Sequence, residues 1–104
     1  MIHVIETWTL KEEFVDQALE LMQQLDDQLG ELAHDHSGWL DHAHFYQNSI
    51  QPTQIIMSYD WKSLESHENM TELESDIVSI FEEKYCAKPR EMNRFHELDV
   101  DTDH

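Results

Sequence analysis

Apolar positions along the chain change period several times, and each change marks an element. Ile2–Trp8 alternates and is rich in β-formers, with Ile2, Val4, Glu6 and Trp8 on one side and His3, Ile5 and Thr7 on the other. It predicts a first strand with apolar residues on both faces. Thr9 follows as an expected N-cap, with Glu12 at the capping-box position. Phe14, Ala18, Leu21, Leu25, Leu29 and Leu32 then recur at spacings of three and four, predicting an amphipathic helix that ends near Ala33.

After the polar stretch His34–Gly38, the period returns to two. Trp39–Tyr46 predicts a second strand, with Leu40, His42, His44 and Tyr46 on one face and Trp39, Asp41, Ala43 and Phe45 on the other. Residues 47–52 make a turn, and Thr53–Tyr59 a third strand. Ser63 opens a short helix to about Met70. Thr71 caps another, with Glu74 in its capping box and Leu73, Ile77, Ile80, Phe81 and Lys84 as its inner stripe. Pro89 requires that helix to have ended, and Glu91–Leu98 predicts the last strand.

The order is β-α-β-β-α-β, an α+β ferredoxin-like pattern with an antiparallel sheet covered on one face by helices. Such a sheet leaves its other face bare. Here neither face of the first three strands is cleanly polar, so pairing of two sheets in a C2 homodimer is expected. The chain has 104 residues, enough for one domain, expected over residues 1–98, with an acidic disordered tail over 99–104.

Composition narrows the function. There are 23 Asp and Glu against 6 Lys and Arg, a formal net charge of −17. Nucleic acid and anionic membrane surfaces are disfavoured as partners, because both need cationic counter-charge. No apolar run is long enough for a membrane span, and the first residues do not read as a signal peptide, so a cytoplasmic location is expected. The single cysteine, Cys86, excludes an intrachain disulfide and a CxxC site. With only 2 glycines there is no glycine-rich phosphate loop for a nicotinamide or flavin nucleotide.

Eight histidines stand out. His42 and His44, two apart on an expected strand, would point the same way about 7 Å apart. A transition metal ion could bridge them if His34, His36, His96, Asp35, Asp41 or Asp60 closed in, although no recognised metal motif is present. His67 titrates in the range of a proton shuttle. Trp61 caps a strand end or lines a pocket. Tyr46, Tyr59, Asn93 and Arg94 are candidates to orient a polar or anionic substrate group.

Gly38, Pro52, Trp61-Lys62-Ser63, His67 and Pro89 together resemble the antibiotic-biosynthesis-monooxygenase-like group of dimeric α+β barrels, over nearly the whole chain. The resemblance implies a homodimeric barrel, a pocket between sheet and helices, and oxygenation of a small aromatic molecule of phenol or quinol type without a required cofactor. Trp61 and His67 match the family pattern; with His42 they are the expected catalytic residues. Haem degraders in this group carry an Asn on strand 1 and a His on the later helix. Strand 1 here has no Asn and Thr71–Tyr85 has no His, so haem is not expected. The alternative is a non-enzymatic dimeric protein that binds a ligand or metal through its histidine-rich second strand.

Overall fold

In a computed structural model, which describes residues 1–103, β1 (Ile2–Thr9) is followed by a 3-10 segment (Glu12–Gln17) and α1 (Ala18–Ala33). Next come β2 (His44–Gln47), β3 (Gln54–Trp61), α2 (Leu64–Tyr85) and β4 (Glu91–Phe95). The four strands form an open antiparallel sheet in the order β2-β3-β1-β4, the ferredoxin-like topology. His104, the last residue of the expected tail, lies outside the described residues. Among the described residues no helix is long and apolar enough to cross a membrane.

Alternation on the central strands decides which sheet face is covered. Val4, Glu6 and Trp8 of β1 and Ile55, Met57 and Trp61 of β3 are buried on the inner face. Leu21, Met22, Leu25 and Leu29 of α1 and Met70, Val78 and Phe81 of α2 close over them. Trp8 meets Phe81 edge-to-face, with ring centroids 5.6 Å apart. A fully enclosed residue such as Leu25 contributes about 1.5–3 kcal/mol by leaving water.

Five local expectations are corrected. Thr9 does not cap α1; it is the last residue of β1, opposite Gln54. The chain beyond it is tied to the end of α2 by the Lys11 N–H, which donates to the Tyr85 carbonyl at 2.9 Å. Phe14 packs edge-to-face on Tyr85. This anchoring holds residues 12–17 in a 3-10 turn and delays α1 to Ala18.

The second strand begins at His44, not at Trp39. His34, Trp39 and His42 pack edge-to-face with centroids 5.0–5.4 Å apart, and this cluster draws residues 40–43 off the sheet. α2 is one helix, not two. Ser63 caps it by accepting the Ser66 N–H at 3.1 Å, while the Thr71 hydroxyl donates back to the Glu68 carbonyl at 2.7 Å. Its buried stripe is His67, Met70, Glu74, Val78 and Phe81; Leu73 and Ile80 face outward. β4 stops at Phe95, short of Leu98.

Candidate functional site

The inner face of β1 carries a carboxylate, Glu6, between Val4 and Trp8, and it is 1% exposed. A buried charge persists only with partners. Arg90, just before β4, donates through Nη1 to Glu6 Oε1 at 2.8 Å and through Nη2 to Glu74 Oε1 at 3.1 Å. The Arg90 guanidinium lies 5.4 Å from the centre of the Trp8 ring. Its backbone N–H is held by Glu82 at 2.6 Å. One cation thus serves two buried carboxylates.

The other oxygen of Glu6 accepts the Tyr59 hydroxyl at 2.5 Å. Tyr59 Oη lies 2.6 Å from His67 Nε2, and Arg94 Nε lies 2.7 Å from His67 Nδ1. Arginine can only donate, so Nδ1 accepts and the imidazole proton sits on Nε2. The direction of the chain is therefore fixed: Arg94 donates to His67, His67 to Tyr59, Tyr59 to Glu6. Tyr59 Oη keeps one unused acceptor lone pair.

Burial dominates the titration of this network. It pushes Glu74 up to about 7, with Glu6 reinforcing the shift and Arg90 opposing it. His67 is lowered to about 4 by burial, then by Arg94, Arg90 and His36, so near neutrality its ring is uncharged. Tyr59 is raised by burial and by Glu6. Burial works against the charge on Arg90, but Glu6 and Glu74 together raise its pKa.

A cavity of about 60 Å³ lies between α1, α2 and the inner face of the sheet. Leu29, Met57, Met70, Trp39 and Trp61 form apolar and aromatic walls, and Tyr59 and Glu74 also line it. At its rim Asp26, Gly30, His34 and His42 are shared with a surface depression of about 610 Å³. Trp61 is 2% exposed, and its Nε1 has no hydrogen-bond partner among the described residues. A Cβ on Gly38 would lie 2.1 Å from that nitrogen, so only glycine lets the indole seat there.

The residues singled out from the sequence are thus distributed unequally. Trp61 and Tyr59 line the cavity, and His42 stands exposed at its rim. His67 is fully buried behind Tyr59 and is not among the lining residues. Arg94 reaches the site through His67.

Tyr46 and Tyr59 do not share a cavity. Residues opposite one another across strands share a face, and Tyr46 pairs with Ile56, on the outer side. Asn93 pairs with Ile5 and is likewise outside. His44 pairs with Ser58 on the outer face, whereas His42 lies before the strand, packed edge-to-face on His34 and Trp39. The expected side-by-side pair on one strand is therefore not formed. Among the described residues, no group of three or more His, Cys, Asp or Glu is placed to hold a metal ion.

Sequence reading missed Glu6, Glu74 and Arg90. A signal for Glu6 was present, since a carboxylate between Val4 and Trp8 on an apolar strand face demands a buried cation. Glu74 was masked by its plausible place in a capping box. The scarcity of cations makes Arg90 worth weighing, but its partners lie far off in the chain.

No protein-family model matches the chain, and no curated protein matches it. Solved structures do. A conserved protein from Methanosarcina mazei Go1 is 23% identical with a TM-score of 0.74, covering 93% of this chain and 92% of its own. A Streptomyces coelicolor monooxygenase, solved with nanaomycin D, is 11% identical with a TM-score of 0.75, covering 95% of this chain and 88% of its own. A putative antibiotic biosynthesis monooxygenase from Nitrosomonas europaea is 16% identical with a TM-score of 0.66, covering 94% and 99%. The chain therefore has the fold that these monooxygenase structures share.

Proposed function

We propose that the protein is a small homodimeric monooxygenase-like enzyme that oxidises a phenol-type aromatic substrate in the cavity between sheet and helices. The observation that carries this reading is Glu74, a nearly fully buried carboxyl group in an apolar cavity, held by a guanidinium it shares with Glu6. Burial raises Glu74 to about 7, where a general base is most useful. Glu74 takes the phenolic proton. Tyr59, fixed by His67 and with its own proton committed to Glu6, stands in the cavity wall as an acceptor only. Trp61 and Met57 hold the ring and exclude water.

Dioxygen then reacts at a ring carbon ortho or para to the hydroxyl. A C–O bond forms, the C–H and O–O bonds break, and the second oxygen leaves as water with the two substrate protons. Phenol and O2 become quinone and water, and the substrate supplies all four electrons. Two copies pair through the outer sheet face, where Ile5, Ile56, Tyr46 and Phe95 are available, closing a barrel.

The test is oxygen uptake with simple phenols, following quinone absorbance in parallel. One O2 is expected per quinone, with the rate lowered at least about a hundredfold in Glu74→Gln. No uptake by the wild type, or full activity in Glu74→Gln, would overturn the reading. A cavity of about 60 Å³ is smaller than the roughly 150 Å³ that admits benzene in an engineered core. In the second reading, a non-enzymatic dimeric binding protein, phenols raise the melting temperature without oxygen uptake.

A further inference from the structure

The site has a charge preference that its aromatic walls do not account for. Three carboxyl groups, Asp26, Asp41 and Glu74, line the cavity, and no lysine or arginine does. The adjoining depression adds Asp27, Glu31 and Asp35, again with no lysine or arginine. Asp26 belongs to both, and burial followed by the charge of Asp27 raises its pKa, while His34 and His42 oppose the shift. A cation placed at this rim relieves that repulsion.

A second observation comes from Glu74, which lines the cavity but not the adjoining depression. Glu74 is 2% exposed and gives Oε1 to Arg90, yet its Oε2 makes no hydrogen bond among the described residues. That oxygen is not fully enclosed, and it belongs to a side chain that lines the cavity, where a ligand can reach it. It asks for a donor from a ligand. The indole of Trp39, packed edge-to-face with His34 and His42, also lines the cavity, and an indole face is a surface on which an organic cation settles.

We propose that the substrate is a phenolic amine: one aromatic ring with a hydroxyl at one end and an alkylammonium at the other. The hydroxyl enters the cavity and donates to Glu74 Oε2. The ring follows between Trp39 and Trp61. The ammonium remains at the rim against Asp26 and Asp41, with the acidic depression beyond it. The small cavity fits this division, because it has to admit the hydroxyl end of one ring while the rest lies in the 610 Å³ depression. A carboxylate at the same position would meet the like charges of Asp26 and Asp41. This assignment rests on the proposed phenol-oxidising site and names its substrate class.

The experiment compares three ligands of similar shape: tyramine, 4-ethylphenol and 3-(4-hydroxyphenyl)propionate. Binding is measured by titration calorimetry at pH 8 and low salt, and oxygen uptake is followed with each compound. Tyramine is expected to bind about tenfold more tightly than 4-ethylphenol, with the propionate weaker still. The tyramine preference shrinks as salt rises. Asp26→Asn is expected to cost tyramine at least about fivefold more affinity than it costs 4-ethylphenol.

Equal affinities, a preference for the propionate, or no binding of any of the three overturns the inference. Selective tyramine binding without oxygen uptake leaves the amine preference standing and removes the oxygenase reading. Equal binding and oxidation of all three does the reverse.

Discussion

Two buried regions lie side by side along the inner face of β1, and they are built by opposite rules. Around Trp8, the leucines of α1 and Phe81 of α2 fill space with apolar side chains. Around Glu6, only one residue earlier on that face, the same helices and sheet enclose Tyr59, His67, Glu74 and Arg90. The first region is stable because it excludes water and is indifferent to pH. The second holds charge where water has been removed, and its stability depends on every partner and on protonation. A fold that only needed a core would repeat the first solution; the second is where chemistry is available.

The largest separation between the two regions is expected at Arg90. Arg90→Met leaves Glu6 and Glu74 without their shared cation, at a cost on the order of 3–5 kcal/mol near pH 8. The loss is expected to be smaller near pH 5, because Glu74 is then protonated in the folded state. Urea unfolding at the two pH values checks this. A pH-independent loss would mean that Arg90 acts through packing on Trp8 alone.

Leu25→Ala is the matching change in the apolar region. Leu25 is fully buried, and truncation is expected to cost about 2–5 kcal/mol. Here the loss is the same at pH 5 and pH 8. A strong pH dependence would show that the two regions are not independent.

The apolar region was legible in the sequence and the polar one was not. Val4 and Trp8, and the series Leu21, Leu25 and Leu29, announce themselves by period, because burying them depends on side-chain spacing within one element. Glu6, Glu74 and Arg90 come from β1, α2 and the segment before β4, and their pairing depends on the sheet register and on the rotation of α2. That rotation was misread. Leu73 and Ile80 offered a stripe as regular as Met70, Val78 and Phe81, and only packing against the sheet decides between them. His67 and Tyr59 were visible as candidates, but their hydrogen-bond direction follows from Arg94, a residue 27 positions from His67.

Glu74→Gln sharpens the comparison by removing one titration. Burial raises Glu74 from 4.5 to about 7, so the folded state holds a proton that the unfolded state has already released. Stability therefore falls as pH rises from about 4.5 to 7. His67 contributes the opposite slope between about 4 and 6.5, because its lowered pKa makes the folded state release its proton first. Above pH 6.5 only the Glu74 slope remains. The glutamine variant is expected to lose that slope and to gain on the order of 3 kcal/mol relative to wild type on going from pH 4.5 to 8. Unchanged pH dependence would place the titrating group elsewhere.

Gly38→Ala tests the seat of Trp61. The added Cβ meets Nε1 of the indole at 2.1 Å and the Ser66 hydroxyl at 2.6 Å. Overpacking of this kind costs about 1–3 kcal/mol. Trp61 also lines the cavity, so phenol binding is expected to weaken with stability, and a shift in tryptophan fluorescence reports the displaced ring.

The smallest effect is expected on the outward stripe of α2. Ile80 is 67% exposed and Leu73 is 54% exposed, although both were expected to face the core from the sequence. Ile80→Ser removes little buried area in a single chain, so unfolding free energy is expected to change by less than about 0.5 kcal/mol. The same change at Val78, on the opposite face of the helix and 5% exposed, is expected to cost several times more. If Ile80→Ser instead lowers stability by more than about 1 kcal/mol, and does so in a protein-concentration-dependent way, then another chain covers that stripe. Pairing through the outer sheet face would then not be the whole assembly, because Ile80 lies on the helix layer, across the sheet from Ile5 and Ile56.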